Sequence, residues 1–386
     1  MNKKKLCVLA ISLSSGGAER VISLLLKHLV HDFDVTLILL SNNIFFEPPK
    51  NVKLLVLGKT DVLDTTSPIL KLKSMAQFVY KYRAIAKKEK FDVVMSFLAL
   101  PNIINGLVNS KLKSKPKTII SERCFPSKMY DGNNFAMKVA KTFYPKFYNK
   151  ADVLFSNSLH INKDLKDNFG IKIPMELIYN PIEIDDQKPH QDSYKKTENF
   201  KVISVGSHTP AKNQILLLKA FKHLNTEYTL TIPGAGPLTT NLTDFAKING
   251  FENQLILPGS VKNIKDYLLE NDCFVLSSNT EGFPNVLLEA MAVGLPVIST
   301  NCLSGPLEIL NDNEPITIVN GEFYLAKYGI LINPEDNVAL SKAILFLRNN
   351  DDQRRKYSEL GFQKAQNFSL PKIYDQVKQL INNQIN

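Results

Sequence analysis

Tryptophan is absent from the 386 residues, cysteine occurs only four times, and no apolar run approaches the ~18 residues needed to span a bilayer. Cys7, Cys124, Cys273 and Cys302 are scattered without paired spacing. That excludes a C-x-x-C zinc or dithiol site and suits reduced, mostly buried thiols. Acidic residues are sparse in the first half. Residues 1–185 hold 28 Lys and Arg against 16 Asp and Glu, whereas residues 186–386 hold 19 against 21. A basic first half points to an anionic partner such as membrane lipid or a phosphorylated acceptor, unless it only mirrors a lysine-rich proteome. Nucleic acid is set aside, because no RNP, zinc-finger, KH or helix-turn-helix signature accompanies the charge. Met1–Lys5 followed by Leu6–Leu13 has the look of a short signal peptide, but no small-residue cleavage site follows. An amphipathic helix (Val21, Leu24, Leu25, Leu29) comes next, so Lys5–Ser12 reads as a buried first strand of a cytoplasmic chain.

What is present is an ordinary globular composition, 44% hydrophobic and 22% charged, over a length that fits two domains. Short β-branched strands alternate with amphipathic helices in both halves. Strands are expected at 5–12, 35–40, 52–57, 93–97, 117–121 and 153–156, then at 201–206, 228–233, 254–258, 273–276, 296–300 and 329–332. Such alternation predicts an α/β chain of parallel sheets with helices on both faces. The expected architecture is two doubly wound, Rossmann-like domains facing across a cleft at their strand C-termini, where such sheets bind ligands. The first domain is expected over 1–185 and the second over 201–368. The polar stretch 186–200 would link them, and a C-terminal helix within 369–386 would pack back on the first domain.

One segment concentrates chemistry. In Ser277–Gly294 a buried strand runs into a polar loop, Pro284 opens a helix, and Gly294 follows its end. The backbone N–H groups of residues 285–287 would form an anion site suited to a diphosphate. Glu289, one turn into the helix, is placed to accept hydrogen bonds from a ribose diol, and Glu281 precedes the helix where it could hold sugar hydroxyls. Two glutamates alone would pass for solvated charges.

The whole string Glu281–Ala290 (EGFPNVLLEA) with its continuation closely resembles the E-x7-E segment of family-4-type retaining glycosyltransferases of GT-B fold. Ser304-Gly-Pro-Leu-Glu308 resembles the loop that follows it. Ser15-Gly16-Gly17 resembles the family's N-terminal glycine loop, where backbone approaches the donor phosphates, and Ile232-Pro-Gly234-Ala-Gly236-Pro237 resembles its G-x-G-P turn. Pro258-Gly259-Ser-Val261 resembles the strand end bordering the base. The resemblance implies donor contacts from Gly16, Gly17, Ser207, Lys212, Val261, Phe283, Pro284, Asn285, Val286, Leu287 and Glu289, with Glu281, Lys212 and Arg123 as the catalytic set.

Two departures stand out. Relatives carry G-R-L-x-x-x-K-G; here Gly206-Ser207-His208-Thr-Pro-Ala-Lys212 keeps the lysine and has Ser207 at the arginine position, which removes a strong charge-assisted contact. His208, Arg20 and Arg123 are the candidate replacements. Where many relatives place a histidine, this chain reads Ser121-Glu122-Arg123, as some lipid-acceptor and capsule-type relatives do, and Arg123 is expected to face the cleft. No clustered acidic ligands suggest a catalytic metal, so neither a metal nor another cofactor is expected.

The resemblance implies transfer of a hexose or N-acetylhexosamine from a UDP-sugar, with retention, to a glycan or lipid-linked glycan at the cytoplasmic membrane face. Two basic-aromatic stretches, Asn134–Lys150 and Leu70–Lys90, could rest on an anionic membrane or merely complete the first core. A catalytically silent binding protein and a nucleotide-sugar epimerase of the same fold are the competing readings.

Overall fold

The computed structural model describes all residues except 1–2, 59–67, 131, 133, 185–198, 226 and 386, so the expected linker lies almost wholly outside the described residues. The chain divides into two compact units, Met1–Pro181 with Leu370–Asn386, and Ile182–Ser369.

In the first unit, β1 (Lys5–Ala10), α1 (Gly17–Asp32), β2 (Asp34–Leu39), β3 (Lys53–Val56), α2 (Pro68–Glu89), β4 (Val93–Phe97) and α3 (Ala99–Asn109) come first. Then follow β5 (Lys117–Glu122), α4 (Pro126–Met129), α5 (Asn134–Tyr148), β6 (Val153–Ser156), α6 (Leu159–Phe169) and β7 (Met175–Leu177). The seven strands form one parallel sheet in the order β3-β2-β1-β4-β5-β6-β7. Alternate residues of each strand serve opposite layers, as a pleated strand requires. Leu6, Val8 and Ala10 pack with α1 and the last helix of the chain, while Cys7 and Leu9 pack with α2 and α3. Lys5–Ala10, within the stretch that has the look of a signal peptide, is thus an inner strand of the sheet, buried on both faces.

The second unit runs β8 (Phe200–Ile203), α7 (Gln214–Phe221), β9 (Tyr228–Thr231), α8 (Thr239–Ile248), β10 (Leu255–Ile256), α9 (Ile264–Leu269), β11 (Cys273–Leu276) and α10 (Asn285–Ala292). It continues through β12 (Val297–Thr300), α11 (Pro306–Asn311), β13 (Phe323–Leu325), β14 (Ile330–Ile332), α12 (Asn337–Asn349) and α13 (Asp351–Ala365). Its sheet has the order β10-β9-β8-β11-β12-β14-β13, with only β13 antiparallel to its neighbour. The final helix, α14 (Leu370–Ile385), groups with the first unit and packs on α1 through Ile373, Val377 and Ile381.

Five elements were not expected from the sequence: β7, β13 and α13, the one-turn α4, and α11 in the stretch read as a loop. β7 and β13 are three residues each, too short for a period-2 pattern to register. α13 has a polar composition, and its buried face is made of Arg354, Tyr357, Ser358, Gly361 and Ala365. That face has helical spacing but almost no large apolar side chain, so a hydrophobic-periodicity test passes over it. Its small residues let it lie close to α10, where a Cβ at Gly361 would stand 3.6 Å from Met291 Cγ.

Candidate active site

Both sheets reverse winding direction beside their first strand, and ligands bind doubly wound sheets at that switch point. In the second unit it lies between β8 and β11. The loops leaving these two strands carry Gly206–Asn213 and Ser277–Pro284, and they meet. Lys212 lays its methylenes 3.6 Å from where a Cβ at Gly206 would stand, and its Nζ reaches Glu281 Oε1 at 2.6 Å. Ser278 Oγ donates to the same carboxylate oxygen at 2.6 Å, and Ser277 Oγ donates to the Lys212 carbonyl at 2.9 Å. Consecutive serines at the end of β11 therefore fix both members of the pair. From the other side, Glu281 N–H donates to Leu303 O, Ser304 N–H donates to Glu281 O, and Ser304 Oγ donates to Gly282 O. Gly305 has φ +102 and abuts Pro284, where a Cβ would come within 2.5 Å of the proline Cδ.

Pro284 is the cap residue of α10 rather than part of its first turn, and the helix begins at Asn285. The anion site expected from residues 285–287 needs correction at its last member. Leu287 N–H donates to Pro284 O at 3.1 Å and its side chain is fully buried, because the helix starts with a tight turn. Asn285, Val286 and Glu289 are half-buried and share one face by their spacing, while Leu287, Leu288, Ala290 and Met291 point to the core. Phe283 is buried, its ring 5.9 Å from that of Phe368. Val261 is half-buried in the loop after β10.

The glycine turn after β9 is packed against the loop after β8. A Cβ at Gly234 would stand 2.0 Å from Gly206 O, and one at Gly236 would stand 2.5 Å from His208 O. Only glycine tolerates such approach. His208 is fully buried and its Nδ1 lies 2.8 Å from Thr239 Oγ1. Burial lowers its pKa and keeps the imidazole neutral. It is therefore not a surface cation replacing the missing arginine. Ser207 is exposed, and its carbonyl accepts from Gln214 Nε2.

The first-unit residues are placed as follows. Gly16 caps α1, where a Cβ would come within 2.3 Å of Glu19 Oε2, so the missing side chain makes room for that carboxylate. Gly17 is the first residue of the helix. Arg20 lies 5.6 Å over the Phe46 ring. Arg123 is 5% exposed: Nε donates to Ser121 Oγ, Nη1 donates to Asn180 Oδ1 at 2.7 Å, and its carbon lies 4.7 Å over the Phe155 ring. Instead of an open cation, Arg123 is a buried one whose fork is largely committed to its own unit.

Its neighbour Glu122 is buried beside it and accepts from the Tyr148 hydroxyl and from the Arg123 and Cys124 N–H groups. Asn102, Asn105 and Asn109, on one buried face of α3, extend this network to Ser96, Tyr82 and Tyr148. Desolvation raises the Glu122 carboxyl from 4.5 to about 7, against the opposing pull of those donors. Between these two values the native state holds a proton that the unfolded chain has released, so stability falls as pH rises through the window. In Glu122→Gln the thermal midpoint is expected to lose that slope. A slope equal to the wild type's would assign it to another group.

Among the described residues, no group of three or more His, Cys, Asp and Glu is arranged to hold a metal ion. The chain does contain one Asp-x-Asp string, Asp32-Phe33-Asp34, at the junction of α1 and β2. Asp32 is taken up there by Lys378 at 2.8 Å and by the Tyr374 hydroxyl, so it anchors α14 rather than a ligand.

Residues 15–186 match the Glycosyltransferase Family 4 family, and residues 185–364 match Glycosyl transferases group 1. An N-acetylgalactosamine-N,N'-diacetylbacillosaminyl-diphospho-undecaprenol 4-alpha-N-acetylgalactosaminyltransferase of Campylobacter jejuni is 31% identical over 374 residues, 96% of this chain and 97% of that protein. The chain belongs to the family-4-type glycosyltransferases of GT-B fold. A second C. jejuni α-1,4-N-acetyl-D-galactosaminyltransferase is 26% identical to this glycosyltransferase over 98% of both chains. Among solved structures, Anabaena HepE in complex with UDP-glucose superposes with a TM-score of 0.77 at 18% identity, covering 98% of this chain and 99% of that one. At that identity the likeness speaks for the fold. Sequence reasoning on this glycosyltransferase overlooked Ser277, Ser278 and the packing of α13 on α10. The only signal for the serines was their position between a buried strand and Glu281.

Proposed function

We propose that this glycosyltransferase moves a hexose or N-acetylhexosamine from a UDP-sugar to an acceptor hydroxyl with retention of configuration. The observation that carries the reading is the joining of Lys212 to Glu281 at the switch point, with Glu289 on the same α10 face as Asn285 and Val286. In this reading the Asn285 and Val286 end of α10 and Lys212 meet the diphosphate, Glu281 holds the sugar hydroxyls, and Glu289 holds the ribose. Lys212 exchanges its carboxylate partner for phosphate oxygen as the donor enters. The acceptor oxygen attacks the anomeric carbon on the face from which the diphosphate departs, and its proton passes to the departing phosphate oxygen. No protein nucleophile is needed, and rate comes from stabilising the leaving charge.

The acceptor is read as a lipid-linked or polysaccharide glycan at the cytoplasmic membrane face. The C. jejuni relative named for a diphospho-undecaprenol substrate supports this, and the UDP-glucose complex of HepE supports the donor class. Attachment is read as peripheral on the same ground of a lipid-linked acceptor; among the described residues no helix is long and apolar enough to cross a membrane. Metal independence belongs to the same proposal, and transfer should survive chelation by EDTA.

The test is calorimetric titration with UDP, followed by UDP release from a panel of UDP-sugars with lipid-diphosphate acceptors. Acceptor-dependent release is the expected result. Tight UDP binding without release from any donor would favour a silent binding protein, the reading that Ser207 motivates. UDP freed by elimination without acceptor would point to an epimerase.

A further inference from the structure

Lys212 is the only cation in the loop Gly206–Asn213, because Ser207 stands where relatives have arginine and His208 is buried and neutral. How that one side chain is aimed therefore matters more than in a site with two cations. The loop is closed at both ends by amide side chains. At its start, the buried Gln214 donates from Nε2 to Ser207 O at 3.0 Å and to Gly206 O at 3.4 Å. At its end, Asn279, in the loop after β11, donates its N–H to Ala211 O at 2.8 Å and its Nδ2 to Pro210 O at 3.3 Å. Asn213 completes the arrangement by donating from Nδ2 to Asn279 Oδ1 at 2.9 Å.

Asn213 holds an unusual conformation for its place. It immediately precedes α7 with φ +46 and ψ +44, whereas a residue capping a helix start is normally extended. Asparagine is among the best capping residues through a side-chain bond to the first turn, yet Asn213 makes no such bond. Its amide goes to Asn279 instead. A left-handed backbone costs a residue with a Cβ what glycine avoids, and such strain persists only where surrounding contacts hold it. Two local preferences are thus overridden in favour of a bond between the loops that carry Lys212 and Glu281.

We infer that Asn213 and Asn279 form a clasp that positions Lys212 for the departing diphosphate. The clasp takes hold on both sides of the lysine, at Pro210 and Ala211 before it and at Asn213 after it. The Lys212 carbonyl is itself held by Ser277 Oγ at 2.9 Å. The lysine backbone is therefore tied to the loop that carries Glu281, and only the side chain remains to swing from carboxylate to phosphate. A cation fixed in advance stabilises developing charge better than one whose loop must first be ordered. Neither asparagine is assigned a donor contact, so both are positioning residues. The inference rests on the proposed role of Lys212 at the diphosphate.

The test is a double-mutant cycle between Asn213→Gly and Lys212→Ala, read on both transfer and UDP affinity. Glycine adopts the left-handed conformation freely, so Asn213→Gly removes the clasp without barring the loop's path. In the wild-type background it is expected to lower kcat about fivefold to tenfold and UDP affinity about threefold. In Lys212→Ala the same substitution should change both by less than about twofold, since the group it positions is gone. Asn279→Ala breaks the bond from the other side and should cost at least as much. Asn213→Gly/Asn279→Ala should then be no worse than Asn279→Ala alone. Thermal midpoints should stay near that of the wild type, because the bond is solvent-exposed. Equal losses in both Lys212 backgrounds, or full activity in Asn213→Gly, overturn the clasp while the donor reading stands. Where UDP binds without turnover, the affinity arm of the cycle decides. A wild type that neither binds UDP nor releases it would sink the donor reading, and the clasp with it.

Discussion

Glu281→Gln is expected to lower transfer by about a hundredfold to a thousandfold, the cost of losing one charged contact made in the transition state. The carboxylate is held at 2.6 Å by Lys212 and at 2.6 Å by Ser278, and its side chain is 9% exposed. Glutamine keeps the shape and one acceptor, so the loop should stay in place, fixed as it is by the backbone bonds to Leu303 and Ser304. UDP affinity should be unchanged or rise severalfold, because a negative charge near the diphosphate has been removed and Lys212 released from it. That direction separates the proposed role from a purely structural one. If the residue only braces the loop, calorimetry will show UDP affinity falling together with transfer. Ser278→Ala, which removes a positioning contact but leaves the charge, should fall between the wild type and Glu281→Gln.

Glu289→Ala should weaken UDP about tenfold to a hundredfold, the order expected when hydrogen bonds to a charged acceptor are lost from a nucleotide. Glu289 is half-buried on the solvent face of α10, while the helix is held by Leu287, Leu288, Ala290 and Met291. Folding should therefore be little affected. The discriminating measurement compares UDP with its 2′,3′-dideoxy analogue. The wild type should prefer UDP and the variant should bind both alike, a cycle that isolates the contact from general damage. An undiminished preference in the variant would remove Glu289 from the ribose site.

Much of this fold was legible before any coordinates. Strands such as Val93–Phe97 and Cys273–Leu276 are buried on both faces, so their apolar runs mark them plainly. α14 shows an apolar stripe at helical spacing, and its burial on α1 follows from that stripe. β13 and α13 were hidden for opposite reasons. The strand is too short for a pattern, and the helix packs through small and polar side chains. At the site, Glu281, Lys212 and Glu289 could be named from the string they stand in. Their partners could not, because Ser278 and Ser304 carry no signal apart from the turns that bring them there.

The sequence by itself determined the layer architecture, the family and the residue types offered to a donor. Periodicity, helix caps and a dense motif are local properties that survive in the unfolded chain. Tertiary structure decided which of those side chains are available. It buried His208 and Arg123, tied Leu287 N–H to Pro284, joined Lys212 to Glu281, and left Phe135 in solvent. Availability depends on what comes to lie beside a group from distant positions, such as Asn180 against Arg123 and Thr239 against His208. No local pattern records those neighbours, because the folded chain brings them together only when its cores close.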